Sequence, residues 1–267
     1  LTAGRIAECE ANGVLRLTIE RPEKVNALTA AMMDDLAARL HRTAERNDLH
    51  LAVIGGVGPK GFSAGADIRE FAAGPDALRR QLDALTGLML AMRACAVPVA
   101  VLAHGRCFGA GGMILAQADL VLAAEDLRLG FPEIVFGLYP GVVHAVLRER
   151  LPEAVAAQLC LGGRLLSAGE AQGLGLVTEI LPATDFGAEA ECRLAFYAAR
   201  SAALRTARGM RPVGGLEAGL REAGLALLAN YADPHARALL HGFLLGTSRA
   251  AGPHPPARAI SSSAACN

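Results

Sequence analysis

An α/β fold is predicted by three features: short apolar runs that read as strands, a glycine-rich loop after two of them, and a helical stretch after each loop. Residues 51–54 form a buried-strand pattern and lead through a loop at 55–66 into a helical segment at 67–71. Residues 98–103 repeat the arrangement, running into a second glycine loop at 104–112. Two such units in succession predict that both loops open on the same side of one sheet.

The remaining elements follow from periodicity. Leu15, Leu17 and Ile19 alternate with Arg16, Thr18 and Glu20, the period of a half-buried strand, and Arg21-Pro22 ends it. Thr29 can cap a helix with Met32, Met33, Leu36 and Leu40 on one side. A longer helix over 78–94 places Leu82, Leu85, Leu88, Met89 and Met92 on its apolar face, and 120–123 is a further strand. Beyond about residue 185 the chain becomes Ala- and Leu-rich and helical. This divides it into a core over 1–200, a helical C-terminal region over 201–251, and a tail over 252–267 whose three prolines and Ser-Ser-Ser run predict mobility.

Charge and composition narrow the functional classes. Lys and Arg number 26, as do Asp and Glu, and no basic run is long enough to track a phosphate backbone, so nucleic-acid binding has little electrostatic support. Charge or Gly cuts every apolar stretch before the roughly 20 residues that span a bilayer. Residues 1–10 show no basic start followed by an apolar run, and a cytoplasmic protein is expected. The six cysteines are scattered without C-x-x-C spacing, which points to reduced and mostly buried thiols rather than a metal site. Cys107, beside the second glycine loop, reads as a small core residue, with a catalytic thiol as the alternative.

The two loops carry the chemistry. The first reads Gly61-Phe62-Ser63-Ala64-Gly65-Ala66-Asp67-Ile68 and the second His104-Gly105-Arg106-Cys107-Phe108-Gly109-Ala110-Gly111-Gly112-Met113. Small side chains let a ligand approach the backbone, and helix N-termini offer unpaired N–H groups at a positive dipole end. Glycine turns before helices are also common for purely structural reasons. Two of them converging would make an oxyanion hole.

These motifs resemble the crotonase superfamily, the enoyl-CoA hydratase and isomerase family, over about residues 12–183. Further matching positions are Glu20-Arg21-Pro22, Asn26-Ala27-Leu28, Pro98, Asp119, Phe131-Pro132-Glu133-Ile134, Gly137, Pro140-Gly141, Gly163-Arg164 and Gly175-Leu176-Val177. The resemblance implies a spiral of repeated ββα units with a helical C-terminal part, assembled as a homotrimer or a dimer of trimers. It implies an acyl-CoA thioester substrate, with coenzyme A entering as part of the substrate and no separate cofactor. By motif position the oxyanion donors are the backbone N–H groups of Ala66 and Ala110, and Lys24, Val25, Ala27, Ala64, Asp67 and Ile68 lie along the coenzyme A. For Lys24 a solvated surface lysine is an equal reading.

Family hydratases use two glutamates. This chain resembles them at Glu133 and departs at the other position, which is Met113. Apolar neighbours would raise the pKa of Glu133 into a useful range, and the resemblance makes it the base, against the alternative of a surface glutamate at a helix start. One carboxylate suits double-bond isomerisation or weak hydration. A decarboxylase or hydrolase on the same oxyanion hole, and a non-catalytic acyl-CoA-binding protein, are the alternatives. Clp-type serine proteases share the spiral fold, but Ser63 is misplaced for their nucleophile. Gly141 is expected to line the pocket. Val142-Val143-His144 replaces the usual Gly-Gly; His144 is either a second polar group or a structural histidine, and His104 a loop-positioning residue.

Overall fold

The computed structural model describes residues 4–210 and 215–246. In chain order the elements are β1 (Arg5–Ala11), β2 (Val14–Glu20), α1 (Ala30–His41), β3 (Leu51–Gly56), α2 (Ile68–Phe71), α3 (Pro75–Ala94), β4 (Val99–Ala103), β5 (Arg106–Phe108) and α4 (Ala110–Gln117). They continue as β6 (Leu120–Ala124), β7 (Arg128–Gly130), α5 (Gly141–Leu147), α6 (Glu153–Gly162), β8 (Leu165–Ser167), α7 (Ala168–Gly173) and β9 (Glu179–Leu181). Helices α8 (Phe186–Ala198), α9 (Ser201–Gly209), α10 (Leu216–Ala232) and α11 (Pro234–Leu244) complete the described chain.

One sheet has the order β1-β2-β3-β4-β6-β9, with β1 antiparallel to β2 and all other neighbours parallel. A smaller sheet, β5-β7-β8, pairs β5 with β7 in parallel and β7 with β8 antiparallel. Ser63 bridges Cys107 in the same parallel sense, so the first glycine loop adds its own strand-like edge beside β5. The turns that begin with β3, β4 and β6 thus each place one segment in each sheet before their helices, which is the ββα spiral.

The large sheet is buried on both faces, and this is why its central strands read as unbroken runs of Val, Ala, Leu and Ile. One face carries Leu17, Ile19, Ile54, Val101 and Ala123 into the main core with α1 and α3. The other carries Val53, Ala100 and Leu122 against Ala190 and Leu194 of α8. Thr29 caps α1 as predicted, its hydroxyl accepting from the Met32 N–H at 3.2 Å.

Several expectations need correction. The segment 104–112 is not all loop, because Arg106–Phe108 forms β5; three residues between glycines have no periodicity of their own, and only pairing with β7 and Ser63 makes them a strand. Helix α3 starts at Pro75 rather than 78, since Pro suits the first helical position. Strands β1, β7, β8 and β9 were not predicted; three of them have only three residues. Of the described cysteines, Cys95, Cys107 and Cys160 are buried, whereas Cys9 and Cys192 are exposed. Burial pushes the Cys107 thiol well above its ordinary value, which fits a core residue and not a nucleophile. The tail predicted over 252–267 lies outside the described residues.

Among the described residues no helix is long and apolar enough to cross a membrane. The helices after residue 200 are joined closely to the core. Arg208 of α9 pairs with Asp119 and reaches the carbonyls of Met92, Arg93 and Cys95, which neutralises the end of α3. Both side chains are largely buried, so Arg208→Met, which breaks this pair, is expected to cost about 3–5 kcal/mol. Urea unfolding monitored by circular dichroism checks this value.

Candidate active site

The first loop is fixed by Asn26, which is fully buried. Its Oδ1 accepts from the Arg21 N–H at 3.0 Å, and its Nδ2 donates to the carbonyls of Val57 at 2.8 Å and Gly61 at 3.1 Å. Val25 and Asn26 both adopt the left-handed region, with φ of 51° and 55°. That conformation costs on the order of 1–3 kcal/mol per residue, so the surrounding bonds must hold it. Ser63 adds to them by donating from Oγ to the Asn26 carbonyl at 2.8 Å and accepting from the Gly65 N–H at 3.1 Å.

Ala66 is presented by a short parallel bridge to Leu28. Leu28 donates to the Gly65 carbonyl and accepts from the Asp67 N–H, both at 2.8 Å. In such pairing the intervening residue turns its own N–H away from the partner segment. Ala66, whose N–H is thus turned away from Leu28, lines a cavity.

The second donor stands at the start of α4. Ala110 is the first helical residue and no side chain caps this end, so its N–H lacks an intrahelical partner. The two donor segments are in close contact. The Ser63 N–H donates to the Arg106 carbonyl at 3.1 Å, and the Phe108 N–H donates to the Ser63 carbonyl at 2.9 Å. A Cβ placed on Gly65 would lie 2.8 Å from the Phe108 carbonyl oxygen and 3.3 Å from the Ala110 nitrogen, so only glycine lets Ala66 approach Ala110 this closely.

Glu133 comes from the 3₁₀ turn Pro132–Phe136 that follows β7. A Cβ on Gly109, whose φ is 48°, would fall 2.7 Å from Glu133 Oε1, which places this carboxylate directly over the residue preceding Ala110. The Glu133 residue as a whole is half-buried, yet its Oε2 is shut from solvent and has no hydrogen-bond partner among the described residues. Desolvation pushes its pKa up to about 7, opposed only by a weaker backbone hydrogen bond. A carboxylate poised there can both take and return a proton near neutral pH.

These groups share a mainly apolar cavity of about 360 Å³. Ala64, Ala66, Ile68, Ala110, Met113 and Glu133 all line it. Met113, one turn into α4, is fully buried. Leu82 and Leu85 of α3, Leu227 of α10 and Phe243 of α11 extend the wall, so the C-terminal helices form part of the same pocket.

Other predicted site residues lie elsewhere. Gly141, expected in the wall, is not among the lining residues; at the start of α5 a Cβ placed on it would lie 3.5 Å from Ala223 of α10. The Asp67 carboxylate caps the Arg69 N–H and pairs with Arg21 at 2.7 Å, so it is engaged in fixing the loop. Lys24, Val25 and Ala27 are not among the residues that line the cavity; the Val25 carbonyl accepts from the N–H of Ala64, which does line it, at 2.7 Å. His104 Nε2 lies 2.8 Å from the Gly58 carbonyl, consistent with a loop-positioning role. His144 lies outside the cavity lining.

Two contributors carry no local signal in the sequence. Tyr139 lines the cavity, and Asn230 of α10 pins its segment by accepting from the Tyr139 N–H at 2.9 Å. Tyr139 sits between two recognised motifs, and only the cavity reveals it. Asn230 is 91 residues further along the chain.

Two sheets wound turn by turn, with the loops of successive turns meeting at one cavity, define a crotonase-like fold. The chain belongs to the enoyl-CoA hydratase/isomerase family, whose model matches residues 9–209. It is 32% identical over 193 residues to the 2,3-dehydroadipyl-CoA hydratase of Escherichia coli (strain K12), a match covering 72% of this chain and 74% of that protein. It is 31% identical over 170 residues to the mitochondrial enoyl-CoA hydratase domain-containing protein 3 of Danio rerio, covering 63% of this chain and only 58% of that protein. The structure resembles an enoyl-CoA hydratase from Mycobacterium avium subsp. paratuberculosis K-10 with a TM-score of 0.78 at 27% identity, covering 90% of this chain and 96% of that one.

Proposed function

We propose that this chain binds an acyl thioester of coenzyme A and runs enolate chemistry on it, with isomerisation of the acyl double bond as the main reaction and hydration as a slower one. The observation that carries this reading is Glu133, a carboxylate whose Oε2 is buried without a hydrogen-bond partner among the described residues, poised near pH 7 beside Gly109 and hence beside the Ala110 donor. The thioester oxygen would sit between the N–H groups of Ala66 and Ala110. Each such donor is worth about 3–4 kcal/mol to a developing oxyanion. Glu133 then takes the proton from the α-carbon and returns it at the γ-carbon, while the two donors hold the dienolate. The apolar wall suits an acyl chain, and the segment carrying Lys24, Val25, Ala27, Ala64, Asp67 and Ile68 would follow the coenzyme A.

Hydration is slower in this scheme because Met113 neither orients a water nor accepts its proton. Assembly as a trimer or a pair of trimers belongs to the same proposal; the exposure of Leu161, Phe196 and Leu225 supports it.

The test is to incubate the protein with 3-enoyl-CoA and trans-2-enoyl-CoA substrates in heavy water and follow the products by mass. Isomerisation with deuterium entering the acyl chain is expected, and inactivity across chain lengths would overturn the proposal. Met113→Glu, which places a second carboxylate in the cavity, is expected to raise hydration by about tenfold or more. An unchanged rate in the folded variant would count against this role for position 113.

A further inference from the structure

The cavity wall holds one phenol that the scheme above leaves unused, and it begins a chain of polar groups that ends in solvent. Tyr139 Oη lies 2.8 Å from His144 Nδ1, with the two rings edge to face at 5.9 Å. His144 Nε2 lies 3.0 Å from Glu153 Oε1, off the axis of a well-formed hydrogen bond but with no other partner among the described residues. The separation is short enough that Glu153 is the group a proton on Nε2 meets. The other carboxylate oxygen of Glu153 is held by Arg148 Nε at 2.8 Å, and the Glu153 side chain is 61% exposed.

The charges set the direction of this chain. An anionic Glu153 favours the His144 tautomer with its proton on Nε2, which leaves a lone pair on Nδ1. The Tyr139 hydroxyl then donates to Nδ1, and its own oxygen lone pairs are left to accept. Burial raises the Tyr139 pKa, so the phenol needs such an acceptor to take part in proton transfer. The same logic activates a serine hydroxyl through a histidine and a carboxylate.

We infer that Tyr139, relayed through His144 to Glu153, is the second proton-transfer group of this cavity and activates the water that adds across a trans-2-enoyl thioester. This rests on the reading of Glu133 given above. Water oxygen bonds to the β-carbon as the α,β double bond opens, and one water proton passes to Tyr139 Oη while the phenol proton moves to His144 Nδ1. Protonated Glu133 delivers its proton to the α-carbon. The net change is addition of H and OH; Glu153 stabilises the imidazolium, whose Nδ1 proton then returns through Tyr139 Oη to the next cavity water and on to Glu133, which restores the starting tautomer. Tyr139 is the catalytic residue in this step; His144 and Glu153 are positioning residues.

The experiment measures hydration and isomerisation side by side. Tyr139→Phe is expected to lower kcat for hydration by roughly 30-fold or more, with KM changed less than about threefold, and to lower hydration at least about tenfold more than isomerisation. His144→Ala should reproduce the loss and be rescued by added imidazole, which should not rescue Tyr139→Phe. Should Tyr139→Phe fail to fold, as judged by thermal melting, the imidazole rescue of His144→Ala carries the test. Parallel loss of both reactions in Tyr139→Phe, no rescue of His144→Ala, or a wild type with no hydration would overturn the inference. Glu133→Gln addresses the underlying reading separately: it should lower both reactions by about 10²–10⁴, and near-wild-type turnover by that variant would remove Glu133 without touching the differential at Tyr139.

Discussion

Glu133→Gln is expected to lower turnover by about 10²–10⁴ and, at the same time, to stabilise the fold at alkaline pH. Both effects come from one cause. The carboxylate is desolvated in an apolar cavity with an unpartnered Oε2, and its folded pKa of about 7 stands above an ordinary value of 4.5. An acid whose pKa is raised by folding contributes its full stability only below the unfolded value, and that contribution is lost as pH rises through the folded one. The wild type therefore loses stability between about pH 4.5 and 7 that the glutamine variant keeps. At about 1.4 kcal/mol per pH unit, the variant should gain about 3 kcal/mol at pH 8 to 9, less what burying an unpaired amide costs, and almost nothing below pH 4. Urea titrations at the two pH extremes read this difference. In the wild type the rate of α-proton removal should climb with pH and level off above about 7, because the base is the ionised form. A variant that lost activity without gaining alkaline stability would mean that Glu133 is solvated.

Gly65→Ala is expected to damage both stability and activity. At φ of 95° a side chain is strained, and the added Cβ would meet the Phe108 carbonyl at 2.8 Å and the Ala110 nitrogen at 3.3 Å. These are backbone atoms in the second loop and at the start of α4, so the clash is relieved only by moving the two loops apart. Strain and overpacking together should cost about 2–5 kcal/mol, visible as a lower denaturant midpoint. Separating Ala66 from Ala110 should lower kcat by roughly 10²–10³ even at temperatures where the variant is fully folded, since oxyanion donors act over a few tenths of an ångström. A folded Gly65→Ala protein with normal kcat would mean that the two donors do not act together.

Ala66, Ala110 and Glu133 are assigned by motif position, as the resemblance implies, and the structure brings all three to one cavity. The strand pattern was clear where burial imposes a period, as in β2, and where burial on both faces leaves an unbroken apolar run, as in β3 and β4. It failed for β5, β7 and β8, whose three residues each acquire their form from pairing partners distant in sequence. The same limit hid the tertiary part of the site. Asn230 reaches the Tyr139 backbone from α10, Phe243 packs on Phe136 with ring centres 4.2 Å apart, and Gly141 turns toward Ala223. None of these contacts has a local pattern. His144, an ambiguous residue in isolation, gains a definite setting only from Tyr139 five positions before it and Glu153 on the next helix.

The central claim is that Ala66 and Ala110 together polarise a thioester oxygen, and infrared difference spectroscopy of an acyl-CoA carrying a ¹³C-labelled carbonyl tests it most directly. On binding to the wild-type protein the carbonyl stretch should move to lower frequency, and the shift should shrink in Gly65→Ala. A bound thioester whose carbonyl frequency matches that of the free ligand in water would contradict the account.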